Sequence, residues 1–273
     1  MKGMDFETVR GLPRGKQQIE ALYEIFREED RLASPAMNVE FATTVRLVQE
    51  HLPSGADVLD LGAGAGRYSH HFARGGCRVV AVELVDKHAR AIEAGVEPGM
   101  DVRVLCQDAL TALRDLPDAS FDAVLCLGPL YHLHEHADRV ACLQGCARVV
   151  RPGGYVYAAL INSDMVVATM TLTGDDQGAY MLDGDYDKHT FRCGDFPFKF
   201  DTLQEANALM EDAGLEVVCR AASDGLNELC ADAVNTFTPE AYQQWLRFHW
   251  YLCRQPHFLG ASNHWLFQLR NPA

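Results

Sequence analysis

Apolar positions along this chain follow two different periods. In the first fifty or so residues the spacing is helical: Leu22, Ile25 and Phe26 recur within Gln17 to Arg31. Phe41, Val45, Leu47 and Val48 do the same within Val39 to His51, and Pro53-Ser54-Gly55 stops that helix. From Val58 onward, short apolar runs alternate with helical stretches, the pattern of a parallel sheet. Strands are expected at Val58 to Leu61, Arg78 to Val82 (ending at Glu83), Val102 to Cys106, Phe121 to Cys126 and Tyr155 to Ile161. Helices are expected at Arg67 to Arg74 and in a stretch that runs to about Val150 and closes at Arg151-Pro152-Gly153-Gly154. Periodicity lapses from Asn162 to Phe200, where Asp, Gly and Thr abound. So long an aperiodic stretch is unusual unless functional and reads as an insertion or lid. Order returns with a helix from Thr202 to Ala213 capped by Gly214, a strand from Leu215 to Ala221, helical aromatic sequence from Asn227 to Arg254 and a last strand at about His264 to Arg270.

The junction after the first strand carries the chemistry. Asp60-Leu61-Gly62-Ala63-Gly64-Ala65-Gly66 leads from a strand into a helix opened by Arg67 and Tyr68. Alternate glycines permit positive φ and let a ligand approach the backbone closely. Open α/β sheets bind nucleotide-like ligands at such carboxyl ends. Asp60 stands where a dinucleotide's pyrophosphate would meet repulsion, and the spacing is not Gly-x-Gly-x-x-Gly. A ligand bearing an ammonium and a sulfonium suits the site better, which points to S-adenosyl-L-methionine.

These residues resemble the class I S-adenosylmethionine-dependent methyltransferases, well over about Val58 to Leu160 and by element order beyond. The family's first motif is matched by Asp60 to Gly66, with Gly62, Ala63 and Gly64 at the turn. Its ribose-binding acid at the end of strand two is matched by Glu83, followed by Leu84; 83 − 64 = 19 residues separate it from the turn, close to the ~20 typical of such acids. Its adenine-side acid and small residue are matched by Gln107-Asp108-Ala109, and its strand-four end by Cys126-Leu127-Gly128-Pro129-Leu130-Tyr131-His132-Leu133. The resemblance implies a doubly wound, mostly parallel seven-stranded sheet of Rossmann-like type whose last strand is antiparallel. It also implies a small-molecule acceptor. The expected layout is a single α/β domain: 1–52 a helical cover, 53–161 the cofactor-binding core, 162–200 the lid insertion, and 201–273 the C-terminal half of the sheet with helices on the substrate side.

Methyl transfer asks the protein mainly to align the acceptor with an already activated methyl, an effect worth roughly 7–11 kcal/mol. A base matters only when the nucleophile carries a tightly held proton. His132, after strand four, is the candidate base, and Tyr131 the candidate wall of the transfer channel. Arg67, Tyr68 or Arg31, the last beside Glu28-Glu29-Asp30, could meet the methionine carboxylate. The His132-x-His134-x-His136 run invites a metal reading, but it leads into a helix, where alternate residues diverge, so no metal is expected. Cys142 and Cys146, one helical turn apart, read as packed thiols, since no second pair at ligand spacing accompanies them, with a pair that binds a soft metal or arsenic as the alternative. The face Trp245, Phe248, His249, Leu252 reads as core, with a share in an apolar acceptor pocket as its alternative.

Composition narrows the partners. The chain has 273 residues, 48% of them hydrophobic and 23% charged, and a formal net charge of −14. That charge disfavours a nucleic-acid surface, which needs clustered Lys and Arg. There is no apolar run of membrane-spanning length, and Met1-Lys2-Gly3-Met4-Asp5 is too polar for a signal peptide, so the cytoplasm is expected, with the nine cysteines reduced. The remaining rivals are a nicotinamide oxidoreductase, a protein that binds the cofactor without catalysis, and a protein or RNA methyltransferase. Oligomeric state is not legible.

Overall fold

A computed structural model describes residues 5–28, 31–174 and 177–271. Its centre is one sheet in the order β3-β2-β1-β4-β5-β8-β7. The strands are β1 (Asp57–Leu61), β2 (Arg78–Glu83), β3 (Asp101–Cys106), β4 (Phe121–Cys126), β5 (Val150–Asn162), β6 (Phe200–Asp201), β7 (Glu216–Ala222) and β8 (His264–Arg270). β1 to β5 pair in parallel, whereas β8 runs antiparallel between β5 and β7. The central strands read as nearly continuous apolar runs because helices cover both faces: Val58, Leu59, Val124 and Leu125 are fully buried. The sheet reverses direction between β1 and β4, so their carboxyl ends open a crevice.

Twelve helices flank it among the described residues: α1 (Phe6–Arg10), α2 (Lys16–Ile25), α3 (Pro35–Gln49), α4 (Arg67–Arg74), α5 (Asp86–Ala94), α6 (Ala109–Asp115), α7 (His136–Val149), α8 (Ser163–Thr173), α9 (Tyr180–Asp183), α10 (Leu203–Asp212), α11 (Ala231–Val234) and α12 (Pro239–Leu252). Local chemistry sets their ends. α3 starts earlier than apolar spacing indicates, because Ser34 accepts the Met37 N–H and Pro35 opens the first turn. α2 stops at Ile25, where Phe26 turns extended, rather than running on to Arg31.

Two expectations need correction. The stretch after β5 is not aperiodic: Asn162 caps α8 by accepting the Asp164 N–H, and Thr and Val among its apolar residues had hidden the helix. The same stretch also supplies an eighth strand, β6, which pairs in parallel with the end of β5 just past the last β4 pairing. The second correction concerns α12. Its buried residues are Leu246 and His249, Phe248 is half exposed, and Trp245 donates its indole N–H to Asn227 Oδ1 at 2.6 Å. None of Trp245, Phe248, His249 and Leu252 lines the cofactor-side cleft.

Candidate active site

The carboxyl ends of β1, β2 and β4 meet the turn after β1 around a cleft of about 540 Å³. Gly62 shows why the turn is glycine: its φ is 75°, and a Cβ would lie 2.8 Å from Pro129 Cδ. Gly66, with φ 87°, passes Ile92 as closely. Either site would strain any other residue. The turn can therefore pack against both the β4 loop and α5, while the Gly62 and Ala63 N–H groups donate to the Val82 carbonyl at 2.8 and 3.0 Å.

Two buried acids stand at neighbouring strand tips. Asp60 is 1% exposed and accepts the Ser69 hydroxyl at 2.6 Å. Burial pushes its carboxyl up to about 6, Ser69 pulls the other way, and Glu83 adds repulsion. Glu83 accepts the Gly64 N–H on Oε2 and the Val85 N–H on Oε1, both at 2.8 Å. Each carboxylate oxygen has two lone pairs, so both keep acceptor capacity for a ligand. His88 on α5 is buried 3.8 Å from Glu83, lines the cleft, and neither ring nitrogen has a partner. A buried polar ring without partners is what a polar ligand would satisfy.

The cleft is lined by all the residues expected to hold the cofactor, together with the two expected catalytic ones: Arg31, Asp60, Gly62, Ala63, Gly64, Arg67, Tyr68, Glu83, Leu84, Gln107, Asp108, Ala109, Leu127, Tyr131 and His132. Asp108 lines the cleft and also caps α6, accepting the Thr111 N–H at 2.9 Å. The two arginines are already engaged. Arg31 spans Glu40 (2.8 and 3.3 Å) and Glu28 (3.1 Å). Arg67 donates to the Leu32 carbonyl and to Asn38 Oδ1, with its guanidinium 4.4 Å from the Phe41 ring centre. Glu29 and Asp30, part of the charge run beside Arg31, lie outside the described residues.

His132 and Tyr131 sit on the loop after β4. Burial, with a smaller push from His134, lowers His132 to about 4, so its imidazole is neutral at physiological pH. Its Nε2 lies 2.9 Å from the hydroxyl of Tyr23, which burial keeps protonated; with the imidazole proton on Nδ1 the phenol donates to it. His136 turns away to Asp212 at 2.8 Å, and the three histidines do not converge.

Lys16, Ile19, Tyr23, Glu28 and His88 line the cleft too, and were not anticipated. Lys16, Ile19 and Tyr23 stand at i, i+3 and i+7, one helical face, so the signal was present. Their mixed polarity hid it. Among the described residues the cover over the cleft is this N-terminal segment, not the stretch from 162 to 200. That stretch instead supports the β4 loop from behind: Lys199 N–H donates to the Tyr131 carbonyl at 2.8 Å, and the Phe198 ring packs 5.5 Å from Tyr131 and 5.3 Å from His132.

Residues 59–158 match the family described as a methyltransferase domain. The chain is 34% identical over 130 residues to a ubiquinone biosynthesis O-methyltransferase of Xylella fastidiosa (strain M23), covering 47% of this chain and 51% of that protein. It is 31% identical over 167 residues to the protein of the same name from Cupriavidus pinatubonensis, covering 60% and 62%. The chain thus spans between half and two thirds of these relatives. A crystal structure of a SAM-dependent methyltransferase from Archaeoglobus fulgidus aligns over 91% of this chain and 99% of that one, with a TM-score of 0.57 at 17% identity. Residues 59–158 thus match a methyltransferase domain, and the chain has the fold of S-adenosylmethionine-dependent methyltransferases.

Proposed function

We propose that this protein transfers the methyl group of S-adenosylmethionine to a hydroxyl of a small-molecule acceptor. One observation carries the reading: Asp60 and Glu83, at adjacent strand tips, line a single cleft with the β4 loop that bears Tyr131 and His132. When bound, S-adenosylmethionine supplies a methyl already activated by its cationic sulfur. Glu83 would hold the ribose hydroxyls, Asp108 and Ala109 the adenine edge, and Leu84 and Leu127 its flanks. Asp60 and the turn residues Gly62, Ala63 and Gly64 would border the amino-acid end, with Arg31, Arg67 and Tyr68 around the carboxylate. Four acids of this region, Glu28, Glu40, Asp60 and Glu83, suit a ligand whose net charge is positive.

The choice of a hydroxyl acceptor rests on the relatives' O-methyltransferase name and on His132. A neutral imidazole can take the proton that a hydroxyl gives up as its oxygen attacks. For that, the acceptor hydroxyl must replace Tyr23 on Nε2. Tyr131 would then wall the channel. The acid-rich surface argues for a small molecule over nucleic acid, and no helix of the described residues is long and apolar enough to cross a membrane. We place the activity in the cytoplasm. The test pairs calorimetry with turnover. S-adenosylhomocysteine should bind the wild type and bind Asp60→Ala and Glu83→Ala much more weakly. Radiolabelled methyl should pass to a fraction of cell metabolites and travel with phenols or other hydroxyl compounds. Unchanged affinity in both variants would overturn the site, and label on amines alone would overturn the acceptor.

A further inference from the structure

Behind the β4 loop lies a group of side chains that methyl transfer does not use. Cys126 is the last residue of β4, and Cys142 and Cys146 lie one turn apart on α7. All three are fully buried, and their sulfurs lie within 4.8 Å of one another, Cys126 and Cys142 at 3.9 Å. From the geometry we propose that Cys126, Cys142 and Cys146 form a binding site for one soft, thiophilic metal ion of the cadmium or mercury type, held by three sulfurs.

The spacing fits such an ion. Zinc–sulfur bonds of about 2.3 Å would set planar sulfurs ~4.0 Å apart; the larger cadmium or mercury ion spreads them further, within the 4.8 Å that bounds the cluster. A disulfide would need a far closer approach, to about 2.05 Å, and would leave the third thiol over. Hard ions want oxygen ligands. Zinc favours four ligands, and no fourth His, Cys, Asp or Glu joins the cluster among the described residues. On binding, each thiol loses its proton to solvent as its sulfur–metal bond forms, so a divalent ion with three thiolates leaves one negative charge. Arg139, on the same helix as Cys142 and Cys146, is paired with Asp201 through two hydrogen bonds. Arg139 itself is buried, and its Nε–H has no acceptor. Cys126 and Cys142 bracket the loop with Tyr131 and His132, so a bound ion would clamp both ends of it.

The experiment titrates the reduced full-length chain with cadmium in a Cys106→Ser/Cys230→Ser background, which removes the exposed thiols. One equivalent should bind, with a sulfur-to-cadmium ultraviolet band and a raised melting temperature. Both signals should vanish in Cys142→Ala and in Cys146→Ala. No uptake, or uptake that persists in the alanine variants, would overturn the site. Should either variant melt poorly, cadmium NMR on the background protein decides: an all-sulfur resonance supports the site, and a nitrogen or oxygen environment refutes it.

Discussion

Tyr23 and His132, 109 residues apart in sequence, share a hydrogen bond of 2.9 Å across the mouth of the cleft. With the imidazole proton on Nδ1 the phenol donates, and the Nε2 lone pair is held ready yet occupied. The covering helix α2 is thereby joined to the loop after β4. Edge-on contact between Tyr23 and His88, ring centres 5.0 Å apart, extends the joint to the Glu83 side.

His132→Gln should lower kcat by roughly 10²–10⁴-fold, the usual worth of a positioned base, and leave cofactor affinity unchanged. Tyr23→Phe should leave a buried nitrogen without its partner and cost about 1–3 kcal/mol of stability. Single-turnover kinetics and urea unfolding check the pair. If His132→Gln turns over normally, the acceptor's proton leaves by another route.

Asp60 links binding to pH. Its folded-state pKa of about 6 exceeds the ordinary 3.8, so the folded protein holds more protons than the unfolded chain between these values. Stability therefore falls as pH rises through that window. Asp60→Asn should stabilise the free protein at pH 7, by on the order of 2 kcal/mol from the size of the shift, and yet weaken cofactor binding strongly. In the wild type, S-adenosylhomocysteine affinity should drop below pH 6 as the carboxyl takes up its proton. Thermal melting and calorimetry across pH 5 to 8 read both effects.

A buried charge chain runs from the cleft to the last strand. Arg31 pairs with Glu40, whose Oε2 lies 3.7 Å from His264 Nδ1, and His264 reaches Asp224 at 2.8 Å. Burial opposes charging His264, but Glu40 and Asp224 outweigh it and raise its pKa to about 9. This stability is fully present below the unfolded pKa near 6.5 and is lost as pH rises through 9. His264→Gln should thus cost on the order of 2 kcal/mol at pH 6 and almost nothing near pH 10. Urea midpoints of the two proteins at several pH values test it; a constant gap would refute it.

Arg139 of α7 holds Asp201 of β6 through two hydrogen bonds, at 2.8 and 2.6 Å, with both side chains buried. Arg139→Met should leave an uncompensated buried carboxylate and destabilise by roughly 3–5 kcal/mol. The double variant Arg139→Met/Asp201→Leu should recover much of the loss. Chemical denaturation of the three proteins gives the coupling.

The alternation of strands and helices from Val58 to Ile161 was legible because a parallel sheet with both faces covered leaves unbroken apolar runs between turn residues. Asp60, Glu83 and Asp108 could be read for a related reason. Each lies at or just past the carboxyl end of a strand, and such ends in a parallel sheet share one edge. Tyr23, Glu28 and His88 were not legible as site residues. A Tyr on a mixed helical face looks the same in sequence whether it meets solvent or a cleft, and only the packing of α2 over the β4 loop decides between them. The mistaken weight on Trp245 and Phe248 has the same origin: an aromatic stripe fixes a helix face but not what lies opposite.

By itself, then, the order of residues determined the sheet, the glycine turn and the acids at the strand tips, since these follow from local φ, spacing and apolar runs. The third dimension decided which segment covers the cleft, how Arg31 and Arg67 are paired, and that Cys126 joins Cys142 and Cys146. Those outcomes depend on contacts between residues far apart in the chain, for which local spacing carries no signal.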